Sequence, residues 1–172
     1  MSQKNNENVR LLVRLAVLCA LAAVATIVIA IPIPNLTGAY VNAGDAVVYT
    51  CAYILGGGWG ALAAGLGSAA ADLILGSALY APATLLIKGL MAFVAGKIMA
   101  RGSASLKGRL AALLVGGIIM PLGYFLYETI LYGVGPAAAG LPFNLIQYAG
   151  GIVLGILLIQ ALDRIMNHKR EA

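Results

Sequence analysis

Four ionisable side chains, Asp45, Asp72, Lys88 and Glu128, sit inside long apolar stretches of this sequence. Such groups are costly in a lipid-facing helix and as a rule face a partner, a cavity or a ligand. One ammonium and three carboxylates offer hydrogen-bond donors and acceptors together. That chemistry suits a small, planar, hydroxylated heterocycle and fits a strongly anionic ligand poorly. Asn42, Asn144 and Gln147 fall at the same depth. Helical spacing places Ser68, Asp72 and Gly76 on one face, and Thr84 and Lys88 on another. It does the same for Tyr124, Glu128 and Tyr132, and for Asn144, Tyr148 and Gly151. Polar groups, aromatics and glycines on converging faces are the expected lining of a small-molecule pocket. The bland alternative is an interhelical bridge, such as Asp72 with Lys88, that only holds a bundle together. Three acids against one base leave negative charge that a bridge alone does not require. On this reading Lys88→Met weakens ligand binding and leaves the protein folded.

The elements that carry these residues are membrane helices. Of 172 residues, 62% are hydrophobic and 10% charged, against roughly 25% charged in soluble domains. A chain this apolar needs lipid to cover it. Six apolar segments can be drawn: 9–31, 42–57, 59–79, 82–100, 110–132 and 142–163. They predict an all-α membrane domain spanning 1–172, with short polar tails at 1–8 and 167–172. The first run, at about 21 residues, is too long for a signal peptide core and right for a span. Segments two and three, joined by Gly56-Gly57-Gly58, are separated by no charge.

Charge placement orients the bundle. Lys4, Arg10 and Arg14 lie at the N-terminal end. Lys97, Arg101, Lys107 and Arg109 flank the connection between segments four and five. Arg164, Lys169 and Arg170 follow the last. With six spans these clusters share one side, and the stretches 32–41, 80–81 and 133–141 on the other side hold no Lys or Arg. The positive-inside rule then places both termini in the cytoplasm, and the polar layer in the outer half of the membrane. The net charge of +5 is therefore a topology signal and implies no nucleic acid, since it lacks interleaved exposed aromatics.

Catalytic signatures are missing. The one histidine, His168, lies in the tail. Gly65-Leu66-Gly67-Ser68-Ala69 lacks the last glycine of a nucleophile elbow and a histidine partner. There is no phosphate-binding loop of the Walker type. Cys19 and Cys51 have no metal or redox spacing. No cofactor, metal site or catalytic residue is implied. Small residues form a further pattern: Ala16, Ala20 and Ala23, Gly56 and Gly60, Gly151 and Gly155. Such pairs let helix backbones approach. The glycine pairs suit packing within the bundle, and the alanine face suits either that or contact with another protein.

The runs Asn42-Ala43-Gly44-Asp45-Ala46-Val47-Val48, Trp59-Gly60-Ala61-Leu62, Gly67-Ser68-Ala69-Ala70-Ala71-Asp72-Leu73 and Tyr80-Ala81-Pro82-Ala83-Thr84-Leu85-Leu86-Ile87-Lys88-Gly89-Leu90 carry a resemblance. In order and spacing they are similar to the substrate-binding S-components of energy-coupling factor vitamin transporters. The match is nearest to the group for hydroxymethylpyrimidine or pyridoxine, related to the riboflavin group. The resemblance implies a six-helix subunit that captures a vitamin or precursor from outside, in the cell membrane of a prokaryote. It implies a membrane scaffold, the T-component, and two ATPase subunits as partners, with Ala16, Ala20 and Ala23 docking on the scaffold. The expected ligand site comprises Asn42, Asp45, Asp72, Tyr80, Thr84, Lys88, Tyr124, Glu128, Asn144, Gln147 and Tyr148, with Tyr124 or Tyr148 stacking on the ligand ring and the stretch 32–41 covering it. The rival reading is a structural or morphogenesis membrane protein whose charges only brace the bundle.

Overall fold

Local sequence rules account for most of the element boundaries. The computed structural model describes residues 3–101 and 105–171. Helix α1, Gln3–Val28, is rich in Ala, Leu and Val and free of Gly and Pro, so nothing interrupts it. It begins within the stretch read as a polar tail, because Gln, Lys and Glu are good helix formers whether or not lipid surrounds them. Ile29 to Ile33 is rich in β-branched residues, and Pro32 and Pro34 stop the helix. The chain instead forms strand β1, Ala30–Pro32, antiparallel to β2, Tyr40–Asn42, with Ile31 opposite Val41. This two-stranded hairpin departs from the all-α expectation. Pro32 is tolerated because a hairpin edge needs no N–H there.

Helix α2 spans Gly44–Ile74 and holds one non-helical residue, Gly56, with φ 75° and ψ −178°. That left-handed conformation is open to glycine at little cost. The two halves fold back on each other there: a Cβ on Gly60 would come within 2.7 Å of the Cys51 carbonyl oxygen. At the far end Gly76 has φ 77°, and the Ser77 N–H closes on the Asp72 carbonyl at 2.7 Å. This is a Schellman termination, and it puts Asp72 in the last turn of its helix.

Helix α3, Ala81–Arg101, follows with Pro82 in its first turn, where the missing N–H is harmless. Helix α4, Leu106–Gly117, is capped by the Ser105 hydroxyl, which accepts from the Gly108 N–H at 3.2 Å. Ile118 keeps a helical conformation between α4 and α5, Ile119–Tyr132. Pro121 cannot donate to the preceding turn, which accounts for the break. The two together form one apolar span, Leu106–Tyr132. Helix α6 is Val134–Glu171, with Pro142 inside it. The stretch 133–141, placed between the last two segments from sequence, is therefore helical from Val134. The C-terminal tail likewise continues α6.

Among the described residues, five helical spans are long and apolar enough to cross a membrane, α2 being the longest but one at 31 residues. The buried core of the bundle is built from Val48, Tyr49, Ala63, Met91, Leu113 and Ile159, among others. Gly151 and Gly155 of α6 face Asp45 and Tyr49 of α2, as expected for glycines used in close approach. A smaller cluster, Ile33, Leu36, Ala39 and Tyr80, fixes the hairpin to the end of the bundle.

Candidate functional site

Beneath the hairpin lies a cavity that gathers the polar layer. Among its lining are Asn42, Ser68, Asp72, Tyr80, Thr84, Lys88, Tyr124, Glu128 and Asn144, with Thr26, Ile33, Gly38, Ala39 and Tyr40. Eight of the eleven expected site residues thus share one space. α2 delivers Asp72 from its last turn, and α3 delivers Thr84 and Lys88 from its first two. α5 supplies Tyr124 and Glu128, and α6 supplies Asn144.

The four ionisable groups have different surroundings. Lys88 and Asp45, 2% and 0% exposed, form a buried ion pair. The partner of Lys88 is thus Asp45, and the Asp72–Lys88 bridge considered from sequence is not the one formed. Asp45 stands behind Lys88, outside the cavity lining, and its other oxygen accepts from Gln147 Nε2 at 2.9 Å. Asp72 accepts a hydrogen bond from the Tyr40 hydroxyl. Burial, and then the carboxylate beside it, push the Tyr40 phenol above its ordinary pKa, so it remains a donor at physiological pH. Glu128 is 1% exposed, and its Oε2 has no hydrogen-bond partner among the described residues. The same holds for Ser68 Oγ and Asn144 Nδ2. Unpaired buried polar atoms around one cavity are the groups a polar ligand would satisfy.

The wall is aromatic. The Tyr80 ring lies 6.3 Å from Tyr124 and 5.6 Å, edge-on, from Tyr127. The Lys88 ammonium is 5.6 Å above the Tyr124 ring, whose hydroxyl is 2.8 Å from Thr84 Oγ1. Tyr148 does not line the cavity; its hydroxyl donates to the Leu114 carbonyl at 2.8 Å. Of the two tyrosines considered for stacking from sequence, Tyr124 borders the cavity. Tyr40 was missed from sequence, although its place two residues before Asn42 on a strand puts both side chains on one side.

The cavity encloses about 20 Å³, room for one water. A second, open hollow of about 490 Å³ lies on the outer side of the hairpin, between Pro32, Asn35, Thr37, Leu75 and Ser77. Ile33, Gly38, Ala39 and Tyr40 border both spaces. The hairpin is the partition between them.

At the other end of the bundle Asp163 of α6 pairs with Arg109 of α4 and accepts from the Tyr53 hydroxyl of α2. The Arg109 guanidinium lies 5.3 Å above the Tyr53 ring. This end of the bundle is therefore not free of polar contacts, and the cluster braces three helices, α2, α4 and α6. The alanines Ala16 and Ala20 are exposed and Ala23 is half-buried. α1 packs on the bundle through Leu18, Ala22 and Thr26 instead.

Known proteins agree with this architecture. An uncharacterised Pyrococcus woesei protein, from the gap 3′ region, is 37% identical over 132 residues, 77% of this chain and 87% of the relative. The thiamine precursor transporter HmpT of Lactococcus lactis subsp. cremoris is 29% identical over the full length of both chains. Among solved structures, an S component of a bacterial ECF transporter superposes with a TM-score of 0.71 at 22% identity, over 94% of this chain and 98% of the other. The biotin S-component of an ECF-type ABC transporter gives 0.69 at 21%, over 97% and 95%. Residues 6–164 match the family described as ECF-type riboflavin transporter, S component, and the chain belongs to that family of membrane-integral transport subunits.

Proposed function

We propose that this protein captures a hydroxymethylpyrimidine-class vitamin precursor from outside the cell and delivers it with a T-component and two ATPase subunits. The observation that carries the reading is the cavity under the hairpin, where Asp72, Lys88, Glu128 and Asn144 meet an aromatic wall. The named transported class of the full-length Lactococcus relative supports the choice of ligand. A pyrimidine with an amino and a hydroxymethyl group presents donors to Asp72 and Glu128, acceptors to Lys88 and Asn144, and a ring face to Tyr124. Ligand sites usually measure about 300–1,000 Å³, so the hairpin must lift to admit the molecule and settle over it. The outer hollow is its approach.

The chain crosses the membrane six times in this reading, with α2 counted as two passes. A straight helix would hold Asp45 and Asp72 ~40 Å apart. Both instead flank Lys88, Asp45 bonded to it and Asp72 across the same cavity. Reversal at Gly56 returns the chain to its starting face, which puts all three basic clusters and both termini on the cytoplasmic side. Cysteines introduced singly at positions 3, 37, 104 and 138, in a background lacking Cys19 and Cys51, test this. We expect 37 and 138 to react with a membrane-impermeant maleimide on intact cells, and 3 and 104 only after lysis. Labelling of 3 or 104 from outside overturns the orientation.

Native mass spectrometry of freshly purified protein identifies a co-purified ligand directly. In titrations with hydroxymethylpyrimidine, Asp72→Asn is expected to raise the dissociation constant ten- to a hundredfold. That is the loss of one hydrogen bond to a charged group, ~1.5–3 kcal/mol. The thermal midpoint should hold or rise, because the Tyr40 hydroxyl can still donate to the amide oxygen. Unchanged affinity removes Asp72 from the site.

A further inference from the structure

We infer that Gln147 is a positioning residue that ties the seating of the hairpin to the Lys88 ammonium group, with Asp45 as the link, and that neither Gln147 nor Asp45 touches the ligand. The inference deepens the binding reading above and rests on it for the role of Lys88. Three hydrogen bonds make the chain of contacts. The Asn42 backbone N–H, at the end of β2, donates to Gln147 Oε1 at 2.8 Å. Gln147 Nε2 donates to Asp45 Oδ2 at 2.9 Å. Lys88 donates to Asp45 Oδ1. Gln147 is 4% exposed, Asp45 0% and Lys88 2%, so water does not substitute for any of these partners.

The residue types suit the task. An amide accepts at one atom and donates at the other, so a glutamine can join a backbone N–H to a carboxylate. A glutamate there would face Asp45 with like charge. Asn42 is held in register by its own side chain, whose Oδ1 accepts from the Gly44 N–H at 2.9 Å. Two residues before it Tyr40 reaches Asp72. The hairpin end is thus anchored twice, once on the cavity wall and once behind it. When β2 lifts, Gln147 Oε1 loses its donor. The amide is then free to turn, and Asp45 loses its second partner, the one on Oδ2. Asp45 is left to Lys88 alone, and the ammonium is drawn back from the cavity. Seating the hairpin reverses the sequence and presents Lys88 to the ligand.

Linkage requires the effect to run both ways. Neutralising the buried pair must loosen the hairpin, and cutting the Gln147 tether must remove that influence. The test needs no ligand. Ser77, 6% exposed and bordering the outer hollow, is replaced by cysteine in a Cys19→Ala background. The rate of its reaction with a soluble maleimide reports hairpin opening. Buried Cys51 in the core is the control for general loosening. Gln147→Leu and the paired change Asp45→Asn/Lys88→Met are each expected to speed labelling about threefold or more, with Cys51 unreactive. Combining them should add less than about twofold beyond either, the signature of coupled sites. Gln147→Met replaces Gln147→Leu if the latter does not yield a monomer. Multiplying effects, or a paired change that leaves Ser77→Cys labelling unaltered, overturns the tether. Hydroxymethylpyrimidine titration is read separately: failure of the unaltered protein to bind defeats the ligand assignment and leaves the labelling cycle to decide the tether.

Discussion

Lys88→Met, made alone, is expected to destabilise the protein severely. Its partner Asp45 is 0% exposed and the lysine 2%, so truncation strands a carboxylate where no water reaches it. Removing one member of a buried pair costs about 3–5 kcal/mol, which for a chain of this size lowers the thermal midpoint by roughly 6–20 °C. The sequence-based expectation was a folded protein with weaker binding. The geometry changes that expectation, because the pair forms with Asp45 behind the cavity and not with Asp72 across it. Asp45→Asn/Lys88→Met should recover most of the lost stability, since an amide beside a thioether leaves no unpaired charge. The double variant is then the proper vehicle for the binding measurement. It should bind hydroxymethylpyrimidine ten- to a hundredfold more weakly, the effect of one charged hydrogen bond together with the looser hairpin inferred above. A thermal scan of both variants in detergent decides the matter. If Lys88→Met melts with the unaltered protein, the ion pair carries no structural weight. If the double variant binds with full affinity, Lys88 does not touch the ligand.

Particular residues explain what could be read in advance. Asp72, Lys88 and Glu128 were legible because an ionisable group in an apolar run announces itself, and the helical rise gives its depth. Their convergence with Thr84, Tyr124 and Asn144 followed from helical faces. The pairing within the set did not follow: Asp45 and Asp72 are both within reach of α3, and side-chain spacing along one chain cannot choose between them. The choice is made by Gly151, whose missing Cβ leaves the space that Asp45 occupies; a Cβ there would come within 2.7 Å of Asp45 Cβ. Tyr40 escaped notice because a three-residue strand has too short a period to read. Arg109 was assigned to topology alone, and Asp163 was not singled out. Their contact joins α4 to α6 across 54 positions of sequence, a separation that no local pattern reports.

The same geometry separates binding from delivery. Ala16→Trp and Ala20→Trp are expected to abolish uptake in cells while leaving ligand binding by the purified protein within about twofold. Both alanines are exposed, as are Val9, Leu12, Val13, Val17, Leu21 and Val24 around them. Only 17% of the apolar window of α1 is buried, against 50% for α2, so most of this helix has no partner among the described residues. Its inward face is fully used: a Cβ on Gly67 would come within 2.8 Å of the Ala22 Cβ. Tryptophan at position 16 or 20 therefore projects away from the bundle and costs the isolated subunit little. Against a second helix the outcome differs. A face of small residues permits close backbone approach in a membrane, and one indole holds the backbones several ångströms apart and removes that contact. Uptake of labelled hydroxymethylpyrimidine in cells carrying the T-component and ATPase subunits reads delivery. Titration of the same variants in detergent reads binding. Uptake at the unaltered rate means that the scaffold docks elsewhere on the bundle. Loss of binding in the purified variants would mean that this face of α1 packs internally, against the exposure seen here.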